Sequence, residues 1–480
     1  MLIIGVSTNL LAQGPDTLWT RTYGGTGADA AYSMIKGIEG NYIITGFSQN
    51  SPSNYRNLFI LNIDSNGDTI WTKTYGGSLT DEGVDIHQTS DGGYIIIGNT
   101  ESFGSGLTDI WLLRTDNAGD TLWTKTYGDS NQDVANSGYL SSDGGVIISG
   151  SKSHPNANGY DGWLLKTDNL GDTLWTEHYG LTQWGAFEYG TSVIETTDGN
   201  ILWTTKDLYV GTGYASAFLS KYDNQGSLLW RNGHDVEGEE QFNSVIETFD
   251  KGFILTGWRI SAFNNGIDLW LVRTDSIGDT LWTKSYGGSD TDVGYDLIQT
   301  ADNGFIVTGY TRSYGAGNKD LWVIRTDSLG DSLWTRTYGG EGRDEGYSIL
   351  PTEDGGYIIA GNTDSYGAGS YDIWVVKLSE DLISVNKNPI NLARKIQLEQ
   401  NYANPFNPIT TIEYSLPKSG EVTLIVYNLL GDEVARLVDG FQQAGEYNTT
   451  WNASNIASGI YFYRLRSGNF VQTRKMVLLK

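Results

Sequence analysis

The chain has 480 residues, too many for one ordinary hydrophobic core, so two or more domains are expected. Its 62 Gly, 29 Tyr and 16 Trp against 8 Pro favour many short strands joined by tight turns. The formal net charge of −26 disfavours nucleic acid and anionic membrane surfaces, and the lack of cysteine excludes disulfides, thiolate metal sites and cysteine nucleophiles.

In chain order, residues 1–13 (MLIIGVSTNLLAQ) read as the later part of a secretory signal peptide, truncated because no basic segment precedes the apolar run. Cleavage is expected after Ala12 or Gln13. No other stretch is apolar and long enough to be a membrane-spanning helix, so no transmembrane segment is expected.

From Asp16 onward a motif such as TIWTKTYGG (69–77) keeps returning. Its tryptophan stands at Trp19, Trp71, Trp123, Trp175, Trp230, Trp282 and Trp334, with successive spacings of 52, 52, 52, 55, 52 and 52 residues. A fixed period of this length marks a propeller or a solenoid. Each unit reads as four strands: the quoted one, a stretch such as GYSILPT (346–352), an Asp-Gly turn leading into YIIAGNT (357–363), and DIWVVKL (372–378) after a Gly-rich loop. Residues 16–382 are therefore expected to form a seven-bladed β-propeller, in which the TLWT strand is outermost and its first copy completes the last blade. An open solenoid is the alternative. A second aromatic column, Trp111, Trp163, Trp270, Trp322 and Trp374 with Phe59 and Phe218, is expected to pack between blades.

Residues 383–395 read as a linker, and residues 396–480, with seven basic and seven acidic side chains, as a small Ig-like β-sandwich. The fold class is thus all-β throughout. The blocks TSDGGYIIIGNT and DIWLLRTD resemble those of a broad group of secreted bacterial and archaeal propeller proteins, a resemblance that covers residues 16–382 and bears on fold more than on function. The stretches QNYANPFNPITTIEYSLPKSGEVTLIVYNLLGDEV, SGIYFYRL and KMVLLK resemble the type A C-terminal sorting domain of the type IX secretion system. That resemblance rests on Asn404, Pro405, Phe406, Asn407, Pro408, Gly459 and Tyr461, with Ala403 standing where the family usually has proline. It implies export across the outer membrane by the type IX machinery acting on residues 396–480, and a location that is secreted or on the outer-membrane surface of a Gram-negative bacterium.

Two sets of residues are candidates for function. The first is a carboxylate column, Asp29, Asp81, Asp133, Glu188, Glu240, Asp292 and Asp344, expected to ring one mouth of the channel. These seven either attract a cation or fix their own loops by accepting backbone N–H groups. The second set lies where the repeat breaks, in the fourth and fifth units: Trp184, Phe187, Trp203, Tyr209, Tyr214, His234, Trp258 and Arg259. Exposed rings beside carboxylates and amides suit a sugar or a peptide, whereas drifted loops would pack the same rings locally. The four histidines show no metal-ligand spacing, and there is no G-x-S-x-G elbow or phosphate loop, so no catalytic residue is assigned and enzymatic activity is left open. The leading expectation is a secreted or cell-surface, monomeric, non-catalytic propeller that binds a glycan or protein ligand at the loop face. A polysaccharide-active hydrolase or lyase using mouth carboxylates, and a purely structural surface protein, are the alternatives. No cofactor is expected, calcium being the one metal to consider.

Overall fold

The computed structural model describes residues 14–381 apart from 50–54, 154–158, 181–185, 210–214, 235–237 and 261–265, and residues 396–479 apart from 417–419, 443–444 and 469. Trp184 and Tyr214 lie outside the described residues, as does the side chain of Tyr209. The chain divides into two compact units, Met1–Ile383 and Ser384–Lys480.

The first unit consists of four-stranded antiparallel blades, 29–75, 81–127, 133–179, 186–233, 240–286, 292–338, and a seventh at 344–378, the third and fourth joined into one sheet by a parallel pairing of Tyr160 with Phe187. Thr17–Tyr23 supplies the outermost strand of this last blade, pairing antiparallel with Asp372–Leu378. The seven innermost strands touch one another in a closed cycle, 29–36 meeting both 81–88 and 344–351. The ring is therefore shut by its first strand, as the repeat phasing predicts.

The apolar core is divided among seven seams, one between each pair of neighbouring blades. The seam of blades one and seven holds Ile44, Leu61, Ile358 and Val375, and that of blades five and six holds Ile254, Leu271, Val307 and Trp322. Second strands such as Tyr94–Thr100 are buried along their whole length, because each sheet is covered on both faces by neighbours.

The repeated motif has a packing explanation. The outer-strand tryptophan lies beneath the turn glycine of the next blade: a β-carbon at Gly67 would come 3.0 Å from the Trp19 indole, and one at Gly330 would come 2.8 Å from that of Trp282. The tyrosine four residues on donates its hydroxyl to the carbonyl of the same glycine, Tyr23 to Gly67 at 2.6 Å and Tyr127 to Gly171 at 2.5 Å. The first glycine of the motif sits under two carboxylates. At Gly128, with φ +156°, a β-carbon would fall 1.9 Å from Asp109 Oδ1 and 2.8 Å from Asp133 Oδ2, so no larger residue fits.

The second unit is a sandwich of two antiparallel sheets. One has the order 397–398, 409–416, 445–452; the other runs 433–442, 420–427, 459–467, 470–478. Between them lie Phe406, Ile412, Leu424, Trp451, Tyr461, Tyr463 and Met476. The Asn404–Pro408 segment is fastened to the final strand. Asn404 Oδ1 accepts from Val477 N at 2.9 Å, Phe406 N donates to Val477 O at 3.0 Å, and Leu479 N donates to Phe406 O at 3.0 Å. Tyr461 packs its ring on Trp451 and donates to Ala457 O at 2.7 Å, while Asn407 and Pro405 are exposed and Gly459 is half-buried.

Candidate functional site at the channel mouth

In every blade the innermost strand carries a β-bulge against the second strand, at Tyr32, Val84, Asn136, Thr191, Asn243, Tyr295 and Tyr347. A bulge re-aims the extra side chain. All seven line the central cavity, which has a volume of about 820 Å³.

The next residue in each blade forms a belt below this ring: Ser33, Asp85, Ser137, Ser192, Ser244, Asp296 and Ser348. Asp85 accepts from the Ser33 hydroxyl at 2.7 Å, from Ile86 N at 3.0 Å and from Gly138 N at 3.2 Å, so it ties blades one, two and three. Asp296 does the same for blades five, six and seven, through Ser244 at 3.2 Å, Leu297 N at 2.8 Å and Ile349 N at 3.0 Å. Burial outweighs these bonds at Asp296 and raises its pKa to about 6.

The bulge ring is not uniform. Blades six, seven and one present an aromatic wall: Tyr295 stacks on Tyr347 at 4.4 Å, and Tyr32 meets Tyr347 edge-on at 5.6 Å. Behind it the Tyr347 hydroxyl donates to Glu345, which also pairs with Lys319, and the Lys319 ammonium lies 3.9 Å from the centroid of the Tyr310 ring. Burial raises the pKa of both Tyr32 and Tyr295, so these phenols stay neutral donors. Blades three to five present a polar wall, with Asn136, Tyr189, Lys206, Gln241 and Asn243. Asn136 donates to Gly190 O at 2.7 Å, Asn243 to Gly294 O at 2.8 Å, and Gln241 to Asn243 Oδ1 at 2.8 Å. Lys206 lies across the strand pair from Tyr189, its ammonium 4.6 Å from the centroid of the Trp258 ring. Burial lowers the Lys206 pKa, with Glu239 opposing the shift.

Several sequence-based expectations are corrected here. The carboxylate column does not open on the channel. Asp29, Asp81, Asp133, Glu188, Glu240, Asp292 and Asp344 are at most 1% exposed and face the loops of their own blades. Asp29 accepts from Gly25 N at 2.8 Å, Asp292 from Gly288 N at 2.9 Å, and Asp344 from Gly340 N at 2.8 Å. Asp81 accepts from the Thr100 and Ser102 hydroxyls, and Asp133 lies 3.5 Å from Lys152 Nζ. Trp203 is a seam residue with no exposed surface, donating to Ser149 Oγ at 2.8 Å. His234 is 7% exposed, lies edge-on to Phe242, and is held neutral by burial, its pKa lowered to about 4. Phe187 packs on Tyr160 and Tyr189 at the rim, Arg259 lies 5.9 Å from the Trp270 ring centroid, and Trp258 serves Lys206.

The bulge ring itself was not among the expected site residues. Its signal was the residue directly before the Ser/Asp column, which varies from tyrosine to asparagine to valine while its neighbours repeat. Among the described residues no group of three or more His, Asp or Glu could hold a metal, and no helix is long and apolar enough to cross a membrane.

Residues 400–479 match the family of the secretion system C-terminal sorting domain. The chain is therefore a β-propeller that ends in a sorting domain of the type IX secretion system, and such a tail implies a secreted or cell-surface protein. The regulatory protein FlaEY of Caulobacter vibrioides is 23% identical over 444 residues, covering 85% of this chain and 42% of that protein. The chain thus spans less than half the length of this relative. Among solved structures, PorZ, a bacterial surface component of the type IX secretion system of Porphyromonas gingivalis, superposes with a TM-score of 0.44 at 11% identity, over 95% of this chain and 60% of its own. The Pan2 WD40 domain of Neurospora crassa superposes with a TM-score of 0.48 at 9% identity, over 77% of this chain and 98% of its own.

Proposed function

We propose that the protein is a non-catalytic binding module, delivered to the outer-membrane surface by its sorting domain, that takes a glycan or peptide at the loop-face mouth of the channel. The observation that carries this reading is the split wall of the cavity of about 820 Å³, with the tyrosines of the bulge ring on one side and amides with the second-strand Lys206 on the other. The size and the mix of apolar walls with a few polar groups suit a small ligand or the end of a larger one. Asp85 and Asp296, the carboxylates nearest the cavity, are tied by hydroxyl and backbone donors to three blades each, which favours binding over acid–base chemistry.

The test is a glycan and peptide array probed with the exported protein, followed by Tyr295→Ala and Tyr189→Ala. Loss of a hit in both variants, with no release of reducing ends from that ligand, supports the reading. Turnover of the ligand, or a hit indifferent to both substitutions, overturns it.

A further inference from the structure

Resting on that reading, we infer that the channel mouth takes a sugar bearing a carboxylate, a uronate-type residue, and that Lys206 pairs with the carboxylate. Among the described residues that line the cavity, Lys206 is the one lysine or arginine. The fold does not require it, because the same place in the other blades holds Phe47, Asn99, Ser151, Trp258, Tyr310 and Asn362. The residue before it departs as well: Thr205 stands where the other six blades have the glycine that lets the second strand approach the bulged one.

The lysine also departs from how this chain treats its other enclosed cations. Lys166 pairs with Asp143 at 2.9 Å, Lys221 with Asp198 at 2.7 Å, Arg231 with Asp207 at 3.1 Å and Arg325 with Asp302 at 2.6 Å. In a chain with 57 acidic and 31 basic side chains, pairing is the norm. Among the described residues no carboxylate lies within ion-pair distance of Lys206: Glu239 acts on it only from beyond that distance, and the Trp258 ring is its close partner. An enclosed ammonium without a direct ion pair is costly, and an anionic ligand group in contact with it offsets that cost. The protein's own negative charge opposes the approach of an anion at long range, but this is screened beyond about 8 Å at physiological salt.

The surroundings favour a sugar as the carrier of the carboxylate. Tyr189 flanks Lys206, and the rings of Tyr295, Tyr347 and Tyr32 line the cavity across from it. Gln241 and Asn136 line the same cavity, and while their amide nitrogens donate to Asn243 and Gly190, their side-chain oxygens accept no hydrogen bond among the described residues.

The experiment is calorimetry on the full chain with trigalacturonate, its methyl ester, and a tripeptide with a free or amidated C-terminus. The acid is expected to bind and the ester to bind at least about tenfold more weakly, since the ester removes the charge that strengthens the hydrogen bond to the ammonium. Lys206→Met should bring the acid down to the ester's affinity and Lys206→Arg should retain it, with neither variant melting below the parent. Equal binding of acid and ester, an unchanged affinity in Lys206→Met, or binding of the free-acid peptide in place of the sugar acid would overturn the inference. A neutral glycan that is lost in Tyr189→Ala leaves the binding module standing and removes only the carboxylate. Absence of any ligand at the mouth removes both.

Discussion

Gly14 lies against the indole of Trp334, so close that a β-carbon on the glycine would come 3.0 Å from the ring. It takes the place that the turn glycine of the following blade takes over every other outer tryptophan. Pro15 O accepts from Tyr338 at 3.2 Å and from Arg336 at 3.1 Å, and Asp16 exchanges hydrogen bonds with Ser379. The closure is thus a strand together with the turn that ought to precede it. Deleting residues up to Tyr23 should cost more than about 3 kcal/mol, because Trp19 and Tyr23 leave the seam of blades one and seven and an edge is exposed. Thermal unfolding would show it, and an unchanged midpoint would argue for a ring that holds without its clasp.

The two adjacent glycines of the motif should respond differently. At Gly24, with φ +151°, a β-carbon would meet Asp29 Oδ2 at 2.5 Å and Asp372 Oδ1 at 2.6 Å, whereas nothing lies within 4 Å of one at Gly25. Gly24→Ala is expected to lose about 2 kcal/mol and Gly25→Ala to be near neutral. Equal effects in denaturant titrations would mean that the paired carboxylates do not select the glycine.

Trp203 separates stability from recognition. It has no exposed surface and fills the seam of blades three and four with Leu164, Val193 and Tyr222. Trp203→Ala should cost about 3–5 kcal/mol. A variant that melts like the parent but loses a ligand would restore Trp203 to the binding set.

Two buried groups give opposite pH dependences. Asp296 has its pKa raised from 3.8 to about 6, so between those values the folded state holds a proton that the unfolded chain has released. Its contribution to stability is greatest below pH 4, falls as pH rises to about 6, and is worth about 3 kcal/mol over that range. His234 has its pKa lowered from 6.5 to about 4, so its contribution is full above pH 6.5 and is lost as pH falls towards 4. On acidification from pH 6.5 to 4, Asp296→Asn should lose more stability than the parent and His234→Gln less. Parallel pH curves for all three proteins would refute the assignment of these groups.

Removal of residues 396–480 should leave the propeller in the periplasm, since the sorting domain match covers this segment. Fractionation that still finds the truncated protein at the surface would deny the tail its role.

The period of 52 residues carried the fold in full view, because Gly, Trp and Tyr recur wherever a turn must pass over a ring. The site was less legible. Trp203 and His234 stood out by chemistry, yet burial depends on which face of the sheet a residue takes, and the bulge at Thr191 reverses that parity within one strand pair. The carboxylates at Asp29 and its equivalents were visible as a column, but their direction was not, since it is set by the Gly25 and Ser48 donors on either side. Lys206 was visible only as one more residue in an irregular unit. Its lack of a direct ion pair emerged once the partners of Lys166, Lys221 and Arg231 were known.

Because the seventh blade draws on both ends of the propeller, with Thr17 opposite Leu378, the first strand to leave a ribosome or a membrane pore has no partner until some 360 residues have followed it. Six blades can assemble locally as they emerge, but the ring remains an open arc with two raw edges throughout that interval. Newly made chains are therefore at their most vulnerable to one another just before completion, when the edge of one can accept the free strand of its neighbour. Slowing the arrival of the last blade, rather than weakening any single contact, is what would turn this chain into exchanged oligomers.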